Sequence, residues 1–206
     1  MRHLLRILPK NKKGFTLIEV LIASVILVIV MGSMTLVFIE ANRAWTQSEA
    51  KLQVYQNARE ALSRMTRELA CAYQSSSSTT LEKFNWDDSQ KKLAFTAAFN
   101  VVYDTDEYDL TKLGYWLDTT TMTLKRYKKD YGGGGGGTWN PIAENIKTLA
   151  FKYYDHKLDI WVSVWDPAGA TPRDYLPRAV EITITAEDKQ GRFTRTFVDT
   201  VYIPMS

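Results

Sequence analysis

Residues 12–23 read KKGFTLIEVLIA, and this stretch decides how the rest of the chain is interpreted. Two lysines precede a glycine, and an apolar run then begins at Phe15 and continues to Ile39. Glu19 is its one charged residue, so the run beyond Glu19 is long enough, at about 20 residues, to cross a bilayer as a helix. The sequence therefore predicts a transmembrane helix over 15–39.

The basic and then apolar N-terminus does not fit the two commonest membrane signals. A secretory signal peptide has an apolar core of about 7–15 residues and then a small-residue cleavage site. Here the run is longer, and no convincing A-x-A site follows it. An uncleaved signal anchor would match the length but not Glu19, because a carboxylate at the centre of a membrane helix costs roughly 2.5–3.5 kcal/mol. Glu19 is therefore a functional candidate; the alternative is a side chain that merely reaches the interface from the helix end.

The stretch 12–23 resembles the signal of type IV prepilins. The resemblance implies that prepilin peptidase cuts between Gly14 and Phe15 on the cytoplasmic side, which removes a basic leader, 1–14, and that the new terminal Phe15 is N-methylated. It also implies that Glu19, the fifth residue of the mature chain, pairs with the terminal amine of a neighbouring subunit during assembly. Physical chemistry agrees, since a glycine leaves the scissile bond unshielded and a buried carboxylate is tolerable beside an opposite charge.

Charge is distributed unevenly between the leader and the rest of the chain. The precursor has a net charge of +3, but the leader holds five of its 26 basic residues and no acidic residue. Without it, 21 basic residues face 23 acidic ones, a net charge of −2. A slightly acidic mature chain does not favour nucleic-acid binding, which usually requires a basic face.

The helix is predicted to continue past the membrane segment as an amphipathic helix over 40–74. Apolar residues recur at spacings of three and four, which indicates one buried helical face: Tyr55, Ala58, Leu62, Met65, Leu69 and Ala72. We expect one helix from Phe15 to about Tyr73, packed on the head domain, with a free coiled coil as the alternative. The hydroxyl-rich run 75–80 is predicted to end it, because such side chains compete for backbone hydrogen bonds.

Residues 75–206 are predicted to form a β-rich head. Strands are expected at 92–96, 114–118, 122–127, 146–154, 158–165, 179–186 and 193–203. Together with the long helix they predict an α+β, pilin-like fold, in which the helix packs on an antiparallel β-sheet. The six consecutive glycines at 132–137 are predicted to form a flexible surface loop.

The head resembles the J-class minor pseudopilins of type II secretion systems. The resemblance rests on the order of several segments: GYWL at 114–117, LKRY at 124–127, LAFKYYD at 149–155, the tryptophans at 161 and 165, LPRAV at 176–180, and Ile203-Pro204. Minor pilins of type IV pili, the W class, share part of it. Retention of Glu19 argues against the K class of pseudopilins.

No set of catalytic residues is recognisable, so we predict that the protein is not an enzyme and holds no cofactor. His156 is expected in a solvated turn, and the lone Cys71 near a helix end. The acidic run 104–109 supplies a weak calcium candidate in Asp104, Asp106 and Asp109, but it lacks the glycine and the terminal glutamate of an EF-hand.

These predictions combine into one hypothesis about function. The resemblance implies a minor pseudopilin at the tip of the type II secretion pseudopilus, supporting protein export across the outer membrane. Its expected partners are prepilin peptidase, the minor pseudopilins of the I and K classes, the major pseudopilin and, before assembly, the bacterial inner membrane. The head is expected in the periplasm and the leader in the cytoplasm. The alternatives are a W- or J-like minor pilin that primes type IV pilus assembly and, more remotely, a membrane-tethered periplasmic enzyme.

Overall fold

A computed structural model describes residues 14–74, 83–87, 90–99, 109–130, 136–168 and 172–204. The chain divides into two compact units, Met1–Ser48 and Glu49–Ser206. Its elements are one helix, α1 (Leu17–Ala70), and the strands β1 (Ala72–Tyr73), β2 (Asn85–Asp87), β3 (Lys92–Phe99), β4 (Asp109–Asp118), β5 (Thr123–Asp130), β6 (Thr138–Ala143), β7 (Ile146–Asp155), β8 (Ile160–Val162), β9 (Ala179–Glu187) and β10 (Thr194–Tyr202).

Helix α1 confirms the long predicted helix but ends earlier than predicted. It stops at Ala70, and the two residues of β1 are extended rather than helical. There Ala72 pairs with Ala97 of β3, and the carbonyl of Cys71 accepts a hydrogen bond from Ala98 N at 3.0 Å. The prediction was wrong here because β3 offers partners to the backbone before the serine run is reached. That run, 75–80, lies outside the described residues.

The buried face of α1 is close to the predicted one, with two differences. Ala58, Leu62, Met65 and Leu69 are buried as predicted. Val54 is 1% exposed while Tyr55 is 39% exposed, so the stripe begins one residue earlier. Tyr55 instead sets its ring edge-on against Phe197 of β10, with ring centroids 5.0 Å apart.

The head contains two antiparallel sheets where one had been predicted. Within the described residues, the N-terminal sheet has the order β1-β3-β4-β5-β6, with β2 also paired to β3, and the C-terminal sheet has the order β10-β9-β7-β8. The strands predicted at 114–118, 122–127, 179–186 and 193–203 are confirmed, and they form the antiparallel pairs β4–β5 and β9–β10. The pair β7–β8 is also present, but β8 spans only Ile160–Val162 and Trp165 lies beyond it.

One hydrophobic core joins the buried face of α1 to the inner faces of both sheets. In β9 the burial pattern alternates along the strand, as expected for a sheet with one covered face. The largest fully buried side chains are aromatic: Trp165, Tyr115, Tyr153, Phe84 and Phe95. The fold class is therefore confirmed as α+β, with the correction that the core is shared by two sheets.

Strand β6 was not predicted from sequence, because it contains Pro141 and follows the glycine run. It is the last strand of the N-terminal sheet, where a missing backbone N–H can face away from the neighbouring strand. Its pairing with β5 shifts register between Leu124 and Lys125, at the place where Lys125 pairs with Pro141. A proline at such an edge or irregularity does not prevent a strand.

Candidate assembly site

Gly14, at the predicted cleavage position, has open space around it. A Cβ atom added to Gly14 would meet no heavy atom of the described residues within 4 Å, and the same holds for Gly32 inside α1. The described part of the chain thus has no steric reason for a glycine at position 14. A bulky residue there would alter what an enzyme encounters without changing the packing described for this chain.

Thr16 caps the start of α1 and fixes the backbone of Glu19. The carbonyl oxygen of Thr16 accepts hydrogen bonds from Glu19 N at 3.1 Å and Val20 N at 3.2 Å, and the Thr16 hydroxyl accepts a further one from Glu19 N at 3.3 Å. Glu19 therefore lies in the first turn, where a negative charge interacts favourably with the helix dipole. The T-x-x-E spacing of Thr16 and Glu19 is a sequence signal for this cap, which was not predicted.

The large apolar side chains of the run predicted to enter the membrane are exposed. Every large apolar side chain from Phe15 to Ile39 is between 41% and 85% exposed. By length and composition α1 can cross a membrane. A helix that is apolar on all sides is stable only when lipid or other helices surround it, so this segment requires such surroundings.

The hydroxyl groups within the apolar run are satisfied inside the helix itself. Ser24, Ser33 and Thr35 donate hydrogen bonds to the backbone carbonyls of Leu21, Val30 and Met31, each at 2.8 Å. In lipid, a polar group without a hydrogen-bond partner costs roughly several kcal/mol. These hydroxyls are therefore compatible with an apolar environment.

Charged residues follow immediately after the apolar run, which ends at Ile39. Arg43 donates to Glu40 at 2.8 Å in an ion pair whose two side chains are more than half exposed. Such a pair contributes little stability, but it marks where the helix becomes polar. Trp45 follows and is 74% exposed.

Within the second unit, Glu68 joins α1 to the N-terminal sheet. Nε of Arg126 donates a bifurcated hydrogen bond to both carboxylate oxygens of Glu68, each at 2.9 Å, and the hydroxyl of Tyr115 donates another at 2.5 Å. Burial first, and then the adjacent Glu68 charge, raise the pKa of Tyr115, so its hydroxyl remains a donor. This network holds the last turns of α1 in a fixed rotation on the sheet.

A second buried network fixes the segment between β7 and β9. The carboxylate of Asp155 is fully buried and accepts hydrogen bonds from Tyr175 Oη at 2.8 Å, Arg173 Nε at 2.9 Å and the backbone amides of Lys157 and Leu158. Burial alone would raise the pKa of Asp155, but these donors outweigh it and hold the pKa below the usual range. The predicted turn at 155–157 is confirmed, and it is also a structural anchor.

His156 departs from its prediction. Its ring is only partly exposed and packs edge-on against Tyr175, with ring centroids 5.4 Å apart. Its Nδ1 atom is buried, and among the described residues no hydrogen-bond partner reaches it. The prediction of a solvated turn histidine was wrong because the Asp155 network draws Tyr175 over the turn. Cys71 is half-buried in the turn that follows α1.

The predicted calcium candidates are not brought together by the described structure. Asp104 and Asp106 lie outside the described residues, and Asp109 is the first residue of β4. Over the described ranges, no group of three or more His, Cys, Asp or Glu side chains could hold a metal ion.

Two family models match this sequence. The model described as type II secretion system protein J matches residues 37–198, which is well over half of the chain. The chain belongs to the type II secretion system protein J family. A second model, the prokaryotic N-terminal methylation motif, matches residues 9–35 of this protein J family member. The predicted resemblance is thereby confirmed, and the protein is a minor pseudopilin with an apolar N-terminal helix as its membrane anchor.

Solved structures support the pilin-like fold of this protein J family member. A type IV-like pilin from Thermus thermophilus matches with a TM-score of 0.53 and 12% identity, covering 74% of this chain and 98% of the pilin. A chain of the GspK–GspI–GspJ complex of the type 2 secretion system from enterotoxigenic Escherichia coli matches with a TM-score of 0.51 and 15% identity. The match covers 74% of this chain and 99% of that chain. At these identities the likeness shows the fold alone. No curated protein sequence matches the chain significantly.

Proposed function

We propose that this minor pseudopilin is cut between Gly14 and Phe15 by prepilin peptidase, is N-methylated at Phe15, and is then built into the tip of a type II secretion pseudopilus. The exposed helix surface from Phe15 to Ile39 carries the proposal. It is apolar on all sides, so lipid can cover it before assembly and neighbouring helices can cover it afterwards. The protein thus acts by contact, in support of protein export across the outer membrane.

Glu19 is proposed to direct each subunit to its place. Its exposed side chain is the only charged group within the apolar surface 15–39. A carboxylate that enters an apolar filament requires an opposite charge, and breaking such a buried pair costs roughly 3–5 kcal/mol. The terminal amine of a neighbouring subunit, freed by cleavage before Phe15, supplies that charge.

The proposed partners are the minor pseudopilins of the I and K classes and the major pseudopilin. The Escherichia coli structure that shares this fold is a GspK–GspI–GspJ complex, which supports the first two by analogy. The basic leader favours a cytoplasmic N-terminus, so the head is proposed to lie in the periplasm, anchored by one pass through the inner membrane. A purely structural role, without catalysis, agrees with a family of structural pseudopilins.

Cleavage is tested by replacing Gly14 with leucine, with Gly32→Leu as the matched control. Both glycines have open space where a Cβ would lie, so folding should be unaffected by either change. We expect Gly14→Leu to accumulate as the uncut precursor and Gly32→Leu to be processed, as read from intact masses. Normal processing of Gly14→Leu would show that the cleavage position is wrong.

The docking role of Glu19 is separated from the helix cap at Thr16 by two variants. Thr16→Ala removes the cap and leaves the carboxylate, whereas Glu19→Gln removes the charge and leaves the cap. We expect both to be inserted and cut, but only Glu19→Gln to lose export and crosslinks to neighbouring subunits. Equal export in wild type and Glu19→Gln would refute docking. Equal losses in Thr16→Ala and Glu19→Gln would attribute the defect to a disturbed start of α1 rather than to the missing charge.

The secretion system itself is tested by deleting the gene and scoring both protein export and surface pili. Loss of export with intact pili supports the type II pseudopilus. Loss of pili with intact export would instead assign the protein to a type IV pilus, leaving the cleavage proposal to stand on its own test.

A further inference from the structure

The outer face of the N-terminal sheet carries a cleft that plays no part in the processing or docking described above. Its volume is about 400 Å³, within the range of small-ligand sites. Gly114 of β4 forms part of the lining, together with the rings of Tyr127 and Trp139. The polar lining residues lie in or next to β2, β3 and β4: Lys83, Asn85, Asp87, Gln90, Lys92 and Lys112.

Two glycines shape this cleft. A Cβ added to Gly114 would lie 3.0 Å from the carbonyl oxygen of Leu93 and 3.5 Å from Cη2 of Trp139, so any side chain would fill the space beneath the indole. A Cβ added to Gly137 would overlap the Tyr127 ring at 2.1 Å. The last glycine of the run 132–137 is thus required by a close approach, beyond its predicted role in a flexible loop.

The cleft presents cations beside aromatic rings. Three lysines and one aspartate line it, although the mature chain as a whole is slightly acidic. Lys83 is already paired with Asp174 at 2.7 Å, so the proposal does not depend on it. The ammonium of Lys92 lies 5.4 Å from the centroid of the Trp139 ring, which in turn lies 5.3 Å from the Tyr127 ring. A cation held over an aromatic wall favours a ligand that combines negative charge with apolar surface.

We propose that this cleft binds an acidic peptide segment of a partner protein, with an apolar side chain against the rings of Tyr127 and Trp139 and a carboxylate at Lys92. The amides of Asn85 and Gln90 are suited to a peptide backbone, which both donates and accepts hydrogen bonds. Among the described lining residues the cations are lysines. Arginines, which bind phosphate in a bidentate manner, would favour a phosphate ligand instead.

The test uses the full chain in detergent micelles and isothermal titration with three probes. The acidic probe is acetyl-Glu-Leu-Glu-Leu-Glu-amide, its neutral counterpart has glutamine for each glutamate, and the third probe is inorganic tripolyphosphate. We expect the acidic peptide to bind, with an affinity that falls as salt is added, and the neutral peptide to bind at least roughly tenfold more weakly. Equal binding of both peptides, or binding of tripolyphosphate alone, would overturn the proposal.

Matched variants locate the binding. Lys92→Glu and Trp139→Phe should each weaken the acidic peptide, the former by roughly tenfold or more. Lys189→Glu makes the same charge change at an exposed turn, and Trp161→Phe makes the same ring change on the C-terminal sheet; neither should alter binding. Thermal melts check that all four variants fold. Unchanged affinity in folded Lys92→Glu, or equal loss in Lys189→Glu, would refute the assignment to this cleft.

Discussion

Replacing Glu68 with glutamine should destabilise the head substantially, because Glu68 is the charged contact between α1 and the N-terminal sheet. The side chains of Glu68 and Arg126 are 13% and 17% exposed, so their charges are largely removed from water. Glutamine has nearly the same shape, so the change removes the charge while leaving the packing in place. Arg126 would then lie partly buried without its counter-charge.

The size of the effect follows from the geometry. Removing one partner of a buried ion pair costs about 3–5 kcal/mol, whereas an exposed pair contributes about 0–1 kcal/mol. The exposure of the Glu68–Arg126 pair is closer to that of a buried pair, but glutamine keeps one oxygen that can accept a hydrogen bond from Arg126 or Tyr115. We therefore expect a loss of about 2–3 kcal/mol in the free energy of unfolding. For a head of this size that corresponds to a fall of roughly 5–10 °C in Tm.

The assay is urea unfolding of the full chain in mild detergent, followed by near-ultraviolet circular dichroism of the buried aromatic residues. Glu60→Gln is the matched control, since Glu60 is exposed on the same helix and should change stability by less than about 0.5 kcal/mol. Arg126→Gln and the double variant complete a double-mutant cycle, in which the two losses should not add. Strict additivity, or a Glu68→Gln loss no larger than that of Glu60→Gln, would show that the ion pair does not hold the helix.

Three further predictions concern the head. Asp155→Asn should lower stability at neutral pH. Because the folded-state pKa of Asp155 is depressed, the stability difference between wild type and variant should close as pH falls below about 4. Urea midpoints at pH 7 and pH 3 would measure this difference. Gly137→Ala should cost about 1–3 kcal/mol through overlap with Tyr127, and no further stability should be lost when it is added to Tyr127→Ala, as thermal melts would show. Met65→Ala should cost about 2–5 kcal/mol in the same melts, because Met65 is fully buried, whereas Leu52→Ala at an exposed position should be near neutral.

The elements predicted best from sequence are those whose pattern is local. The apolar run from Phe15 and the apolar–polar alternation over 179–186 are visible in the sequence itself, and α1 and β9 follow them closely. The end of α1 was predicted less well, because Ala72 continues the helical spacing and only its pairing with Ala97 makes it extended. Strand β6 was missed since the permissive edge position of Pro141 is a property of the sheet.

The functional and structural residues differ in the same way in how well the sequence predicted them. Gly14, Phe15 and Glu19 were recognisable because their spacing is a signal in the sequence, and their roles remain predictions. The networks around Glu68 and Asp155 were not foreseen, since each joins residues far apart in the chain, 58 positions in the case of Glu68 and Arg126. Neither residue differs in its local sequence from an ordinary exposed acid. Only the fold identifies them as buried.

The chemistry of α1 changes along its length, and this change separates assembly from folding. From Phe15 to Ile39 the helix is apolar on every side and uncovered, whereas from Val54 to Leu69 only one face is apolar and that face is buried in the head core. A subunit that is inserted singly and assembled later requires the first surface to remain available, because a helix already covered by its own head could not exchange lipid for neighbours. The second surface must instead be satisfied within the chain. Substitutions at Met65 or Glu68 should therefore change stability without changing cleavage, and those at Glu19 should change assembly without changing the unfolding of the head.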